Sequence, residues 1–307
     1  MKKNLSFSAE VKKELYSIDF NSKSEMLSEC YGMLLFASKF NSREIIYKTE
    51  NSCSAKRFEK LITELFQPII EKQYDNKKSS QSLYKFSLIV PDECKRIFEA
   101  FGHNVKDIKL RINRANLEDD SCYPAFLRGV FLSCGSVTDP RKSYHLELSV
   151  SYRTLAENVI HLINEIEVFN LKPKLAARKG GYIVYLKGNS DICDFLAYIG
   201  AGNSVMNIIE TTAYKEMINK INRKQNSELA NIRKKADASA KQILAIKKII
   251  KVKGIDYLSD DLKALALLRL DNPDMSLKEL GENLNPKISR SGVNHRLEKI
   301  FKIADSI

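Results

Sequence analysis

The feature that most restricts this chain is a set of landmarks that returns at a nearly fixed offset. Gly32 and Gly129 stand 97 residues apart, and Gly102 and Gly200 stand 98 apart. The run Phe98-Glu99-Ala100-Phe101-Gly102 is echoed by Phe195-Leu196-Ala197-Tyr198-Ile199-Gly200. A repeat of this length implies one half-domain present twice and packed about a pseudo-two-fold axis. Local signals agree. After a short helix over 9–16 with Ser8 as its cap, the first copy reads as a helix over 23–37 and strands near 38–41 and 44–49. Ser54 then caps a helix to about Phe66. Strands near 69–74 and 83–90 follow. Pro91 opens a helix that Gly102 ends. The second copy repeats this order: a helix over 123–134, strands over 135–138 and 144–152, a helix from Thr154 to about Val168, strands over 174–177 and 182–186, and a helix over 190–199 closed by Gly200. Both copies read αββαββα.

The first helix of each copy carries GMLLFAS from Gly32 and GVFLSCG from Gly129. These runs lack charge, so the two helices are expected to bury each other, with glycine admitting a close backbone approach. This pattern resembles the LAGLIDADG homing endonucleases, whose two such helices form the domain interface. The resemblance places Ala37 and Cys134 where the last acid of each motif holds divalent metal. No Asp or Glu lies over 33–42 or 130–138. Glu44 and Asp139 lie beyond the helix ends. The resemblance therefore implies the scaffold without the hard oxygen ligands that Mg²⁺ needs. Lys172, Lys174, Arg178, Lys179 and Lys187 sit on the last hairpin of copy two, and Lys72, Lys77, Lys78 and Lys85 on the matching hairpin of copy one. They are either a DNA-facing set or solvated lysines that protect strand edges. A small ligand in the old DNA-facing groove is a third possibility.

A chain of 307 residues is long for one core, and 44% apolar content suits a folded domain pair. The net charge of +12 favours a polyanionic partner, but only its placement is informative. Cys30, Cys53, Cys94, Cys122, Cys134 and Cys193 form no CxxC pair and read as reduced thiols; no metal or cofactor site is indicated. No apolar run is long enough for a signal peptide or a membrane span, which predicts a cytoplasmic, nucleoid-associated protein.

Charge concentrates in one segment. Residues 211–253 hold 12 Lys/Arg against 3 Asp/Glu, whereas 254–307 hold 8 against 9. Ile218, Ile221, Leu229, Ile232, Ala236, Ile243, Ile246 and Ile250 recur at helical spacing, which predicts one helix or two packing beneath the tail. The segment is either a plain connector or a phosphate-tracking arm using Arg233, Lys234 and Lys235. The tail reads as three short helices. The first, over 261–270, turns Leu262, Leu265 and Ala266 inward and Arg269 outward. Asn272-Pro273-Asp274 ends it. Ser276 caps the second, with Glu279 at capping-box spacing. Leu277, Leu280 and Leu284 form its apolar face. Ser289 caps the third, whose inward face is Val293, Leu297 and Ile300. That is a helix-turn-helix plan, although the turn over 285–288 is longer than the shortest ones. Arg290, Ser291, Asn294 and His295 fall where a recognition helix meets base edges, with Lys287, Arg296, Lys299 and Lys302 around them, and the caps Ser276 and Ser289 are expected among the DNA contacts.

The run SLKELGENLNPKISRSGVNHRLEKI, with Ser291, Gly292, Asn294, His295 and Arg296 in its S-G-V-N-H-R-L segment, resembles the C-terminal domain of the WhiA family. The opening SFSAEVKKEL and the run Asn222-Arg223, Asn226 and Ala230-Asn231 are similar to that family too. The resemblance implies a regulator of sporulation or cell division. The expected fold class is an α+β N-terminal domain of two αββαββα repeats plus an all-α helix-turn-helix domain. The expected boundaries are a helix over 1–20, the degenerate domain over 21–203 (repeats 21–103 and 121–202), a basic connector over 204–255 and the DNA-binding domain over 256–307. The expected partner is double-stranded DNA, with another transcription factor or RNA polymerase beside it, no membrane, and a monomeric chain. Two other classes stay open: a nonspecific nucleoid or division protein, and a metal-dependent endonuclease.

Overall fold

The computed structural model describes residues 5–76, 82–106, 109–166 and 171–307. They form two compact units, Met1–Tyr214 and Lys215–Ile307. The first is α+β and the second all-α.

Unit 1 opens with α1 (Phe7–Tyr16). Its first copy is α2 (Lys23–Leu35), β1 (Lys39–Phe40), β2 (Ile45–Thr49), α3 (Ser52–Phe66), β3 (Glu71–Asn76), β4 (Ser82–Leu88) and α4 (Pro91–Ala100). The second is α5 (Cys122–Cys134), β5 (Gly135–Val137), β6 (His145–Val150), α6 (Arg153–Asn164), β7 (Lys174–Arg178), β8 (Gly181–Lys187) and α7 (Asn189–Tyr198). Both sheets are antiparallel and share one order, β1-β2-β4-β3 and β5-β6-β8-β7. The repeat inferred from the landmark offset is therefore a repeat of topology. Gly102 and Gly200 close the last helix of each copy at φ 72° and 98°, a backbone region that favours glycine.

Two expected caps are displaced. Ser6, not Ser8, caps α1, accepting from the Ala9 N–H; Ser8 instead accepts from the Val137 N–H. Asn51, not Ser54, caps α3, because its Oδ1 accepts from the Ser54 N–H, and Ser54 is buried inside the first turn. Helix α6 ends at Asn164; the expected end at Val168 lies outside the described residues, as do Lys77 and Lys78.

Helices α2 and α5 cross with their backbones almost touching. A Cβ on Gly32 would stand 2.3 Å from the Phe126 carbonyl oxygen, and one on Gly129 would stand 2.1 Å from that of Glu29. Both glycines are there because nothing larger fits. The crossing also buries charge that the apolar runs do not reveal. Glu29 is fully buried and receives Arg57 Nε at 2.6 Å, Arg57 Nη2 at 3.1 Å and Arg128 Nε at 2.6 Å. Arg57 Nη1 donates onward to the Tyr16 and Ile18 carbonyls, and Arg128 Nη1 to that of Ile199. One carboxylate thus ties α2 to α3 in its own copy and to α5 in the other.

At the far end of α5, Lys12 is nearly buried and donates to the Leu132 carbonyl at 3.2 Å. A cation there suits the negative end of the helix. Burial nevertheless pulls its ammonium from 10.5 to about 8.

Unit 2 comprises the C-terminal part of α8 (Gly202–Lys253), then α9 (Asp260–Asp271), α10 (Leu277–Asn283) and α11 (Arg290–Asp305). Its core is Ile246 and Ile249 of α8 with Leu262, Leu265, Leu280, Val293, Leu297 and Ile300. Here one expectation fails. The apolar stripe of the connector does not pack along its length: every residue over 219–238 is exposed, including Ile221, Leu229 and Ile232. Helical periodicity shows that a face exists, not that anything covers it. Among the described residues no helix is long and apolar enough to cross a membrane.

Two predictions follow from the packing of unit 1. Gly129→Ala should destabilise it by about 3 kcal/mol through overpacking, and Glu29→Ala by about 3–5 kcal/mol by stranding two buried guanidinium groups. Urea unfolding followed by circular dichroism measures both. A Glu29→Ala protein as stable as wild type would show that the triad holds nothing together.

Lys12 carries a third. A lysine with a depressed folded-state pKa costs stability in full below about 8, where both states keep the proton. The cost falls as pH rises toward 10.5, because the folded state releases its proton first. Lys12→Met should therefore stabilise most near neutral pH, with the gain shrinking through this window. A gain that stays constant across it would mean that the buried ammonium is not the cause.

Candidate nucleic-acid interface

Two places bear on nucleic-acid contact: the adjoining ends of α2 and α5 in unit 1, and the exposed face of α11. At the first, the motif ends at Ala37 and Cys134. The Cys134 thiol donates to the Val130 carbonyl, and burial pushes it up to about 12. Ser133 Oγ donates to the Phe36 carbonyl at 3.0 Å, joining the ends of the two helices. The nearby acids are engaged. Glu44 pairs with Lys39 at 2.6 Å. Asp139 pairs with Arg141 at 2.7 Å, whose hydrogen bonds hold it down to about 2. A groove of about 680 Å³ opens beside Ala37, with Lys39, Lys109 and Arg153 on its walls. The hairpin cations are partly occupied as well. Lys72 pairs with Glu59, Lys85 donates to Gln73, Arg178 pairs with Glu147, and Lys187 lies over the Tyr185 ring. Among the described residues no cluster of His, Cys, Asp or Glu could hold a metal ion.

The second place is built from caps. Ser276 Oγ accepts from the Glu279 N–H while the Glu279 carboxylate accepts from the Ser276 N–H at 2.7 Å, a complete capping box. That backbone hydrogen bond draws Glu279 below the usual carboxylate range. Ser289 Oγ accepts from the Gly292 N–H and starts α11. The six-residue connection over 284–289 is pinned by the Ile288 N–H donating to the Gly281 carbonyl at 3.0 Å. Val293, Leu297, Ile300 and Ala304 face the core. The opposite face therefore belongs to Arg290, Asn294 and Glu298 in one row and to Ser291, His295 and Lys299 in the next, all exposed.

The predicted residues do not all share that face. Arg290, Ser291, Asn294, His295 and Lys299 do, with Lys287 exposed just before the helix. Ser291 Oγ is hydrogen bonded to Ser289 Oγ at 2.8 Å, and Asn294 Nδ2 donates to Glu298 at 2.9 Å. Arg296 is half-buried and turned aside: its Nε lies 3.5 Å from the Asp261 carboxylate, so it links α11 to the start of α9. Arg269, expected on the outer side of α9, is 2% exposed. Its Nη1 donates to the carbonyls of Asn272, Pro273 and Met275, stitching the α9–α10 turn. The helical pattern misplaced it because a long arginine on an inward face resembles an outward one until its acceptors are known. Ser276, Lys234, Lys235 and Arg290 meet around one cleft of about 600 Å³, and Arg233 is exposed without lining it. Lys278, missed in the sequence, joins that cleft.

Comparison with known proteins agrees with both units. Residues 221–304 match the WhiA C-terminal HTH domain, and residues 123–218 match the WhiA LAGLIDADG-like domain. The chain is 36% identical over 310 residues to the probable cell division protein WhiA of Ruminiclostridium cellulolyticum, covering 99% of this chain and 98% of that one. It is 37% identical over 317 residues to the protein of that name from Thermoanaerobacter sp., with the same coverage. The crystal structure of full-length WhiA from Thermotoga maritima superposes with a TM-score of 0.61 at 28% identity, covering 99% of each chain. The N-terminal LAGLIDADG domain of WhiA shares the fold, with a TM-score of 0.51 at 23% identity over 65% of this chain and 94% of that one. With relatives this similar from end to end, and with both of its units matched, the chain belongs to the WhiA family.

Proposed function

We propose that this protein is a sequence-specific, double-stranded-DNA-binding transcription regulator that acts in cell division, sporulation or both. The observation that carries the reading is the exposed polar stripe of α11, set on a capped helix-turn-helix whose other face is fully buried. Arg290 and Asn294 have the donor geometry for base edges, guanine for the first and adenine for the second. Asn294 must release Glu298 to do so. Ser291, His295 and Lys299 share the stripe, and Ser276 and Lys287 flank it. Arg296 acts through its tie to Asp261. The exposed, basic stretch of α8 with Arg233, Lys234 and Lys235 meets phosphates and positions without specifying.

Unit 1 keeps an endonuclease-like scaffold and carries no nuclease activity in this reading. Ala37 and Cys134 offer no carboxylate, and Glu44 and Asp139 are held by cations. Relatives named as probable cell division proteins support the biological setting. The same basic stretch of α8 favours a second reading, a nonspecific nucleoid protein.

One assay separates these. Arg290→Ala or Asn294→Ala should cost about 1–3 kcal/mol on the preferred site and much less on random DNA. Neutralising Arg233, Lys234 or Lys235 should weaken both duplexes alike and flatten the salt dependence by about one unit of slope. Leu297→Ala should act through folding, at about 2–5 kcal/mol. Binding of each folded variant is measured on both duplexes over a salt series containing Mg²⁺, in which the DNA should stay uncut. A specificity ratio that survives Arg290→Ala but falls with a connector variant would reverse the roles.

A further inference from the structure

The cleft of unit 2 has features that DNA contact leaves unexplained. At about 600 Å³ it has the volume of a small-molecule site. One wall is α8 and the other is the α9–α10 turn. Ile232, Ala236, Met275 and Leu277 give these walls an apolar lining. Ile232 is 62% exposed, an aliphatic side chain left in water at the rim. The walls are fixed in place. Ser239 Oγ donates to the Pro273 carbonyl at 2.6 Å, and Arg269 Nη1 binds three carbonyls of the same turn.

Two of the lining residues carry a buried polar atom without a hydrogen-bond partner. Gln242 is 7% exposed and Arg269 is 2% exposed, and both line the cleft. The Oε1 of the first and the Nε of the second have no hydrogen-bond partner in the structure. Buried polar atoms of this kind are uncommon, and each calls for a partner. The rim is cationic: Lys234, Lys235, Lys278 and Arg290 line the cleft against the single carboxylate of Asp274. Among the described residues neither Lys234, Lys235 nor Arg290 forms an ion pair.

We propose that this cleft binds a small anion with a flat, apolar body, such as an aromatic ring bearing a phosphate, sulfonate or carboxylate. The anion meets the rim cations, and the ring lies between Ile232 and Met275. A phosphodiester strand supplies the charge but nothing to fill the apolar walls, which is why a free molecule fits better. Arg290 is both a wall of the cleft and the first residue of α11. A bound anion draws its guanidinium away from a base edge, so ligand and DNA compete. This last step rests on the reading of α11 given above; the site itself does not.

The test uses full-length protein and anilinonaphthalenesulfonate, an aromatic sulfonate whose fluorescence reports binding. Saturable binding at one site is expected. Ala238→Trp, which fills the cleft from α8, should weaken it on the order of tenfold or more, and Lys235→Gln should weaken it severalfold at low salt. Ala230→Trp, on the same exposed helix but outside the cleft, should leave it unchanged. Each variant is first checked for native circular dichroism. A specific duplex should displace the probe from wild-type protein. Probe affinity unchanged in Ala238→Trp, or lost equally in Ala230→Trp, overturns the site and leaves the α11 reading untouched. Cleft-specific binding that DNA does not displace overturns the competition. If Arg290→Ala also leaves DNA affinity intact, the α11 reading is the part that failed.

Discussion

The close crossing of α2 and α5 is the constraint on which the rest of unit 1 depends. Two helices from copies 97 residues apart approach until the Glu29 and Phe126 carbonyls occupy the space that side chains would need. That approach sets the pseudo-two-fold axis and hence the relation between the two sheets. It also sets where charge can be buried. Glu29 sits at the Gly129 contact, one turn before Gly32, and both arginines converge on it because the crossing brings α3 and α5 within reach of one carboxylate. A buried triad of this kind is weak evidence for net stability, but removing its centre strands both cations. The result is a junction that tolerates little change in either copy.

Much of this architecture was legible in the sequence. The spacing of Gly32 with Gly129 and of Gly102 with Gly200 announced the repeat, because close approach and positive φ each demand glycine. The inward faces of α10 and α11 and the capping box at Ser276 were legible for similar reasons, since short-range periodicity and cap chemistry are local. What was not legible is long-range or relational. Glu29 finds Arg57 28 residues away and Arg128 99 away, and no local pattern pairs them. Arg269 was placed outside because its three acceptors lie in a turn that forms only after α9 ends. The caps fall at Ser6 and Asn51 because several Ser and Asn residues stand at each start, and these two have the extended backbone just ahead of the first turn. The connector stripe over 219–238 shows the limit of amphipathic periodicity, as its apolar residues are regular and yet uncovered.

The candidate interface divides in the same way. The exposed stripe of α11 is the complement of its buried stripe, so its members could be named from the sequence. The turn of Arg296 toward Asp261 and the hold of Glu298 on Asn294 could not, as each depends on a neighbour's rotamer. The structure also gathers Lys234, Lys235, Ser276 and Arg290, which the sequence spreads over more than fifty residues, around one cleft. In unit 1, by contrast, the positions that the homing-endonuclease resemblance marks for acids hold Ala37 and Cys134. A buried lysine contributes the positive charge beside them. On the proposed reading unit 1 serves as a scaffold, and the exposed polar stripe of α11 reads the DNA.

Site-specific photocrosslinking tests that division most directly. A benzoyl-phenylalanine residue is placed at position 294 or at position 37 of the full-length protein, which is then irradiated with a duplex it retains. The account predicts a crosslink from position 294 to bases of the major groove and none from position 37. Crosslinks from position 37 alone would contradict it, because the DNA would then lie along the groove of unit 1 and not on α11.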